Sequence, residues 1–156
     1  MTERWVGLVI SGEKVTVADA EVPDDGPLIL QADLTWKLQT GSKPAPYYAL
    51  SQLCSNYLRE NGIEKVVIKA SATSQSGVML GHFHSAELRG VIQSAAASVC
   101  EVKVIPKAAV SKNFGDRKVD EYIKDTGFWG QEFNGKPLRS GSREAAMLLL
   151  AERKQA

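Results

Sequence analysis

The sequence has 156 residues, of which 44% are hydrophobic and 24% are charged, and its formal net charge at pH 7 is +1. This length and composition are typical of a globular protein, so we expect one domain over residues 1–156. A net charge this small gives no general attraction to nucleic acid or to membranes. No apolar run approaches the roughly 20 residues that a membrane-spanning helix needs.

The cysteines and the first residues bear on the cellular compartment. Cys54 and Cys100 are the only cysteines, and each lies within an apolar pattern. The opening MTERWVGLVI contains charges and lacks the long apolar core of a secretion signal. Two buried thiols in a chain without such a signal fit a reducing compartment. We therefore expect a cytoplasmic protein.

The first forty residues predict three antiparallel strands. Residues 4–10 and 14–22 are rich in β-branched residues, and the short connection SGE at 11–13 between them is typical of a hairpin. A turn cluster at 22–27 precedes a third predicted strand at 28–38. Three consecutive strands of this kind form an antiparallel meander.

The middle of the chain predicts half of a parallel crossover. The loop at 39–46 ends in prolines that suit a helix start, and apolar residues then recur at helical spacing from Leu50. Asn61 and Gly62 supply a C-terminal cap. An apolar strand at 65–69 follows within three residues, which is the order of a crossover connection.

The remainder predicts helices around one further strand. A helix beginning near Gly81 carries an apolar stripe that ends at Val99. The strand 101–105 follows and is stopped by Pro106. Two short helices, an irregular aromatic segment and a closing helix come next, at 107–115, 117–127, 128–142 and 143–153. This order predicts an α/β domain with one mixed sheet and helices on both faces.

Several segments resemble the ribonuclease H-like proteins of the RuvC type, the Holliday-junction resolvases and their relatives. AELRGVIQSAAAS (86–98) is similar to the family's central helix, and REAAMLLLA (143–151) to its last helix. CEVKVIPKAAVSKNFG (100–115) and DRKVDEYIK (116–124) resemble the strand-helix segment and the basic helix between them. The resemblance implies a ribonuclease H-like three-layer domain.

The family's chemistry requires acidic residues at three places. Carboxylates from the first strand, the fourth strand and the last helix hold two metal ions there. The resemblance puts Ile10 and Ser11 at the first place and Lys69 at the second. At the third it puts Ser142 or Ala145, with Glu144 nearby. It therefore implies a vestigial site of Ser11, Lys69, Ser142 and Glu144, with no catalytic residue, no metal and no other cofactor.

Lys69 ends a predicted buried strand, where three interpretations of its side chain are open. It forms an ion pair with Glu144, binds an anion such as phosphate, or extends into solvent. We predict the ion pair, because burying a lysine among polar groups is costly unless it is paired. Glu144 is the only acid that the resemblance puts nearby. The ammonium group would repel a divalent cation, so we expect none to bind there.

The end of the chain is basic, since residues 101–156 carry eleven Lys or Arg against eight Asp or Glu. Basic residues near Phe114 predict a nucleic-acid-binding groove, although a solvated surface is the simpler interpretation. Asp116, Asp120 and Glu121 dilute this charge. The candidates are Lys107, Lys112, Arg117 and Lys118, with Lys103 and Lys124 as further members.

Three other features have a structural and a functional interpretation. His82 and His84 have no neighbouring cysteine or acid cluster, so we favour a surface or capping role over a metal site. The hydroxyl-rich segment 71–77 lacks the glycine spacing of a phosphate loop, and a polar loop is favoured. The aromatics near Trp129 cover the sheet or contact a partner, and we favour the former.

Three functions remain open from the sequence. The first is a catalytically degenerate RuvC-like protein that binds a protein partner or nucleic acid. The second is a divergent metal-dependent nuclease that uses Asp19, Asp116 or Glu144. The third is a homo-oligomerisation or scaffold module in which helix stripes form the interface. We favour the first, because the expected carboxylates are replaced.

Overall fold

A computed structural model of the protein describes residues 2–71, 80–114 and 117–155, with Asn113 and Phe114 described by their backbone alone. Within these residues the strands are β1 Glu3–Ser11, β2 Lys14–Val22, β3 Leu28–Lys37, β4 Lys65–Lys69, β5 Glu101–Ile105 and β6 Phe133–Gly135. The helices are α1 Pro44–Glu60, α2 Leu80–Ala97, α3 Lys107–Phe114, α4 Val119–Lys124, α5 Thr126–Glu132 and α6 Arg143–Gln155. A 3₁₀ turn, Ser140–Ser142, leads into α6.

The strands form one mixed sheet in the order β5-β4-β1-β2-β3-β6. β1, β2 and β3 pair antiparallel, so the predicted meander is confirmed. β4 lies parallel to β1, and β5 lies parallel to β4. The carboxyl ends of β1, β4 and β5 therefore meet at one edge of the sheet, which we call the carboxyl edge. The opposite edge, where these strands begin, we call the amino edge.

The segment predicted to be irregular contains regular structure. Asp125 ends α4 and then caps α5, because its carboxylate accepts a hydrogen bond of 3.1 Å from the backbone N–H of Phe128. The predicted single helix over 117–127 is therefore two helices. The chain continues from α5 into β6, which pairs in parallel with β3. The prediction of an irregular segment over 128–142 was therefore wrong for 128–135, because a helix of seven residues and a strand of three are too short to show a clear periodicity.

The aromatic residues of this segment belong to the core. Trp129 and Phe133 are buried, and the Trp129 indole donates a hydrogen bond of 2.8 Å to the carbonyl of Tyr122. Phe128 packs edge-on against Trp129 at 5.1 Å between ring centroids. The interpretation that these aromatics cover the sheet is confirmed.

The two faces of the sheet are covered by different helices. Alternation along β1 sends Val6, Leu8 and Ile10 towards the layer of α1 and α2, while Trp5 and Val9 pack with α6. Gly7 also lies under α6, where a Cβ atom would stand only 2.1 Å from the carbonyl oxygen of Ala145. A side chain at position 7 would therefore keep α6 from packing this closely against the sheet.

The apolar stripe of α2 is used inside the chain. Leu88, Ile92 and Ala96 are fully buried against the sheet and α1. These residues are therefore not available as a dimer face. Across the described parts of the chain, every helix is too short or too polar to span a lipid bilayer.

Candidate functional site

Lys69 and Glu144 meet at the carboxyl edge of the sheet. Lys69 is the last residue of β4, and Glu144 lies in the first turn of α6. The Lys69 Nζ and Glu144 Oε2 atoms are 3.0 Å apart, and the two side chains are 24% and 25% exposed. The predicted ion pair is confirmed. The alternative interpretation, in which Lys69 extends freely into solvent, is wrong.

A second ion pair repeats this geometry at the amino edge. Lys65 Nζ lies 2.9 Å from Glu152 Oε2, and these side chains are 12% and 10% exposed. Four residues along a strand span about 13 Å, and eight residues along a helix span about 12 Å. The lysines of β4 are four residues apart and the glutamates of α6 are eight apart. The two pairs therefore fix α6 along the length of β4.

The α6 side of the Lys69–Glu144 pair is closed by apolar side chains. Val110 of α3 and Val119 of α4 are buried there, together with Met147 and Leu148 of α6. The cavity that these residues share with the ion pair has a volume of about 10 Å³. That is at most the space of one water molecule.

The last three residues of β1 have different environments at the carboxyl edge of the sheet. Ile10 is buried with α1 and α2, on the face opposite to α6, so it cannot contribute to a site shared with Glu144. Val9 packs on the α6 side, level with Lys69. Ser11 is exposed and lies with Lys69 at the carboxyl edge.

Ser142 has a different environment from that of Lys69. Its side chain is buried and its hydroxyl donates a hydrogen bond to the carboxylate of Asp33 on β3. Arg139 also binds Asp33, at 2.8 Å through its guanidinium and at 2.7 Å through its backbone N–H. Burial raises the pKa of Asp33, but the hydrogen bonds from Arg139 and Ser142 outweigh it and lower the pKa overall. These contacts anchor the start of α6 to β3.

Arg89 is a site residue that the sequence did not single out. It lies on α2 and is only 8% exposed. Its Nε donates to the carbonyl of Lys69 at 3.1 Å, one terminal nitrogen donates to the carbonyl of Ile10 at 3.2 Å, and the other donates to the Ser71 hydroxyl. Arg89 therefore joins the ends of β1 and β4. The sequence feature that could have identified Arg89 is its position three residues before Ile92, which puts a charged side chain on the apolar face of the helix.

A cleft of about 230 Å³ opens beside this guanidinium. We call it the Arg89 cleft, and it lies on the α2 side of the carboxyl edge. Ser85 of α2 lines it, and the Ser85 hydroxyl accepts a hydrogen bond of 2.8 Å from the backbone N–H of Gly12 in the hairpin turn. The other lining residues are Ile10, Ser11, Lys69, Ala70, Ser71 and His82.

The four predicted nucleic-acid contacts fall into two groups. Lys107 pairs with Asp120 at 3.0 Å, and Arg117 pairs with Asp125 at 3.0 Å. Those charges are neutralised within the protein. Lys112 and Lys118 are exposed, and neither has an ion pair with a described residue. The side chain of Phe114 lies outside the described residues.

The comparisons with known proteins rest on structure. No protein-family model matches this sequence, and no curated protein matches it. The structure of Thermus thermophilus RuvC superimposes with a TM-score of 0.71 and 14% identity, over 97% of this chain and 93% of that chain. The same values hold for T. thermophilus RuvC in complex with a Holliday junction substrate.

The yeast mitochondrial Holliday junction resolvase Ydc2 superimposes with a TM-score of 0.66 and 11% identity, over 97% of this chain and 79% of that chain. The fold is that of RuvC. Identities this low establish the fold alone, and they confirm the predicted ribonuclease H-like α/β architecture. The RuvC-like fold also explains where to look for a site, because ligands of α/β sheets bind beyond the carboxyl ends of the strands.

The resemblance implies divalent metal ions at the carboxyl edge, and the residues there do not fit them. Hard cations need several oxygen ligands. The side chain of Val9 offers no oxygen ligand, and the Glu144 carboxylate is already bound by an ammonium group. Across the part of the chain that the structure describes, no three His, Cys, Asp or Glu side chains are grouped so that they hold a metal.

The other acids considered from the sequence are placed elsewhere or are not described. Asp19 is fully buried and pairs across the sheet with Val6, about 13 Å along β1 from Ile10. Arg4 and Tyr57 bind its carboxylate at 2.7 Å and 2.5 Å, so it is a structural acid at the amino edge. Asp116 lies outside the described residues, as do residues 72–77 of the hydroxyl-rich loop.

Proposed function

We propose that this RuvC-like chain binds nucleic acid without metal-dependent cleavage. The observation that carries the proposal is the ion pair of Lys69 and Glu144 at the place where the resemblance expects a metal ligand. An ammonium group already neutralises the one carboxylate that the resemblance puts there. Binding a divalent cation would require breaking this pair and holding two cations within a few ångströms of each other.

The packing around the pair supports the same conclusion. Val110 and Val119 leave a cavity of about 10 Å³ beside it. A cavity of this size does not hold a hydrated metal ion, so a metal ion would have to approach the pair from its solvent-exposed side. The lysine at the expected carboxylate position and the apolar packing beside the ion pair therefore both argue against a divergent nuclease that uses Glu144.

The nucleic-acid part of the proposal rests on the fold and on surface charge. T. thermophilus RuvC, whose fold this chain shares, has been solved with a Holliday junction. Lys112 and Lys118 are exposed on the α3–α4 side and have no ion pair with a described residue. Each lysine that neutralises a phosphate releases counterions and adds to the salt dependence of binding. We expect Lys112 and Lys118 to make such phosphate contacts. We also place this function in the cytoplasm, because the free thiols of Cys54 and Cys100 favour a reducing compartment.

The test compares binding and cleavage on the same substrates. The protein is incubated with four-way junction, single-stranded and duplex DNA, and with RNA, in buffer containing Mg²⁺ or Mn²⁺. We expect gel-shift binding that weakens with salt, no cleavage, and no calorimetric binding of either cation in the micromolar range. Lys112→Gln together with Lys118→Gln should reduce the magnitude of the log K against log salt slope by about two. Lys14→Gln, an exposed lysine on β2, is the matched control.

Two results would contradict the proposal. Sustained cleavage that Glu144→Ala abolishes and Glu60→Ala leaves intact would establish the divergent nuclease instead. Absence of binding to every nucleic acid would leave a protein partner or self-association as the function. Light scattering at high protein concentration separates these two, because the scaffold hypothesis requires an oligomer.

A further inference from the structure

Arg89 is a buried cation whose charge has no counterion among the described residues. Its three hydrogen-bond acceptors are two backbone carbonyls and a hydroxyl, which are all neutral. Such groups satisfy N–H donors but do not neutralise a full positive charge. Burial lowers the pKa of the guanidinium, which reflects the cost of keeping that charge away from water.

Two acids that adjoin the cleft through their neighbours Lys69 and Gly12 are bound by other cations. Glu144 is held by Lys69 at 3.0 Å, and Glu13 of the hairpin turn is held by Lys43 at 2.7 Å. The sequence from Ala70 to Ala86, which includes the loop before α2, contains no acidic residue. No acid of this loop can therefore neutralise Arg89.

The cleft offers hydrogen-bond donors in addition to charge. A guanidinium has five N–H groups, and the bonds to Lys69, Ser71 and Ile10 use three of them. Three residues that carry hydroxyls, Ser11, Ser71 and Ser85, line the same space. Lys69 is a lining residue as well, but its ammonium group is bound to Glu144 of α6 and is not counted among these donors. Donors that converge around a cation in this way suit a tetrahedral oxyanion.

From this arrangement we propose that the Arg89 cleft binds a phosphoryl group. The cleft volume of about 230 Å³ lies below the roughly 300 Å³ at which small-molecule pockets begin, so it accommodates a phosphate and part of a sugar rather than a whole nucleotide. The phosphoryl group belongs to a nucleic-acid terminus or to a free nucleotide. The inference deepens the proposed function by naming the group that is recognised, but binding of phosphate itself does not depend on that function.

The test is an NMR titration of the full chain with inorganic phosphate. We expect saturable shifts of the backbone amides of Gly12, Ala70 and Ser85, which border the cleft, and none at Gly62 near the end of α1. Arg89→Gln keeps two N–H donors but removes the charge, and should weaken phosphate binding by about tenfold or more. Arg59→Gln, an exposed arginine in the last turn of α1, is the matched control and should have no effect.

Two further arms identify the source of the phosphoryl group. A single-stranded oligonucleotide that binds more tightly with a 5′-phosphate than without it would identify a nucleic-acid end. A nucleoside 5′-monophosphate that competes fully with inorganic phosphate, without preference for the oligonucleotide, would identify a free nucleotide. If Arg89→Gln does not fold, Ser85→Ala serves as the second variant, with an expected loss of about threefold.

The proposal is overturned if phosphate leaves the amides of Gly12, Ala70 and Ser85 unshifted, or if Arg89→Gln binds phosphate as the unmodified protein does. This outcome differs from failure of the proposed function. A chain that binds phosphate in the cleft but no junction DNA contradicts only the proposed function. A chain that binds junction DNA equally well with Arg89→Gln, and shows no phosphate shifts, contradicts only the cleft.

Discussion

The two edges of the parallel strands each carry one lysine and one arginine, and they differ in how the charge of the arginine is neutralised. At the amino edge, Arg4 is paired with Asp19 and Lys65 with Glu152, and Lys65 also lies 4.4 Å above the Trp5 ring. At the carboxyl edge, Lys69 has Glu144, but the acceptors of Arg89 among the described residues are all neutral. At the amino edge both cations are paired with a carboxylate. At the carboxyl edge, Arg89 has no such partner among the described residues, and its positive charge lies beside a cleft.

The pKa shifts of the two arginines express this difference. Hydrogen bonds to Asp19 raise the pKa of Arg4, because its charge is more stable in the protein than in water. Burial lowers the pKa of Arg89. A buried charge that the fold does not compensate is costly, and functional sites are where such costs are found. The amino edge therefore has the features of a stabilising cluster, and the uncompensated charge at the carboxyl edge is the basis of the proposal that a ligand binds there.

The largest expected effect is at the amino edge. Asp19→Asn removes the fully buried carboxylate that Arg4 and Tyr57 bind, and breaking one partner of a buried pair costs about 3–5 kcal/mol. Urea unfolding followed by circular dichroism should report that loss in the free energy of unfolding. Asp24→Asn, in the exposed turn after β2, should change it by less than about 0.5 kcal/mol. A loss below about 1 kcal/mol for Asp19→Asn would mean that the amino edge is not a stabilising cluster.

The two lysines of β4 provide a closer comparison, because they form equivalent pairs with α6. Lys65→Met leaves Glu152 unpaired where both side chains are about a tenth exposed, and we expect a loss of about 2 kcal/mol. Lys69→Met affects a pair about a quarter exposed, and we expect about 1 kcal/mol. Unfolding of both variants under identical conditions checks the order. A larger loss at Lys69 would contradict the distinction between the two edges.

The smallest expected effect on stability is that of Arg89→Gln. The glutamine amide still donates to strand-end carbonyls, and removing an uncompensated buried charge offsets the lost contacts. We expect a change of less than about 1 kcal/mol in the free energy of unfolding. Arg4→Gln, which unpairs Asp19, should cost about 3 kcal/mol in the same measurement. A comparable loss for both arginines would show that Arg89 is a structural residue like Arg4.

The sequence by itself determined the order of the main elements and the fold. Alternation fixed the strands of the meander, helical spacing fixed α1, α2 and α6, and the lysine at the end of β4 pointed to its partner Glu144. These features depend on neighbours along one element, or on a resemblance, and both are visible in a linear sequence. Short elements such as α5 and β6 were missed, because three to seven residues are stabilised by their contacts with distant strands rather than by their own periodicity.

Only the tertiary structure decided which residues share a site. It placed Ser142 against Asp33, Ile10 on the opposite face from α6, and Asp19 at the far edge of the sheet. It also brought Arg89 across 79 residues of sequence to the carbonyl of Ile10. Which edge of a sheet a side chain reaches depends on strand register and helix packing, and these are set by long-range contacts. The charge of Arg89 was therefore evident in the sequence, but the sequence did not show that the structure places no counterion beside it among the residues it describes.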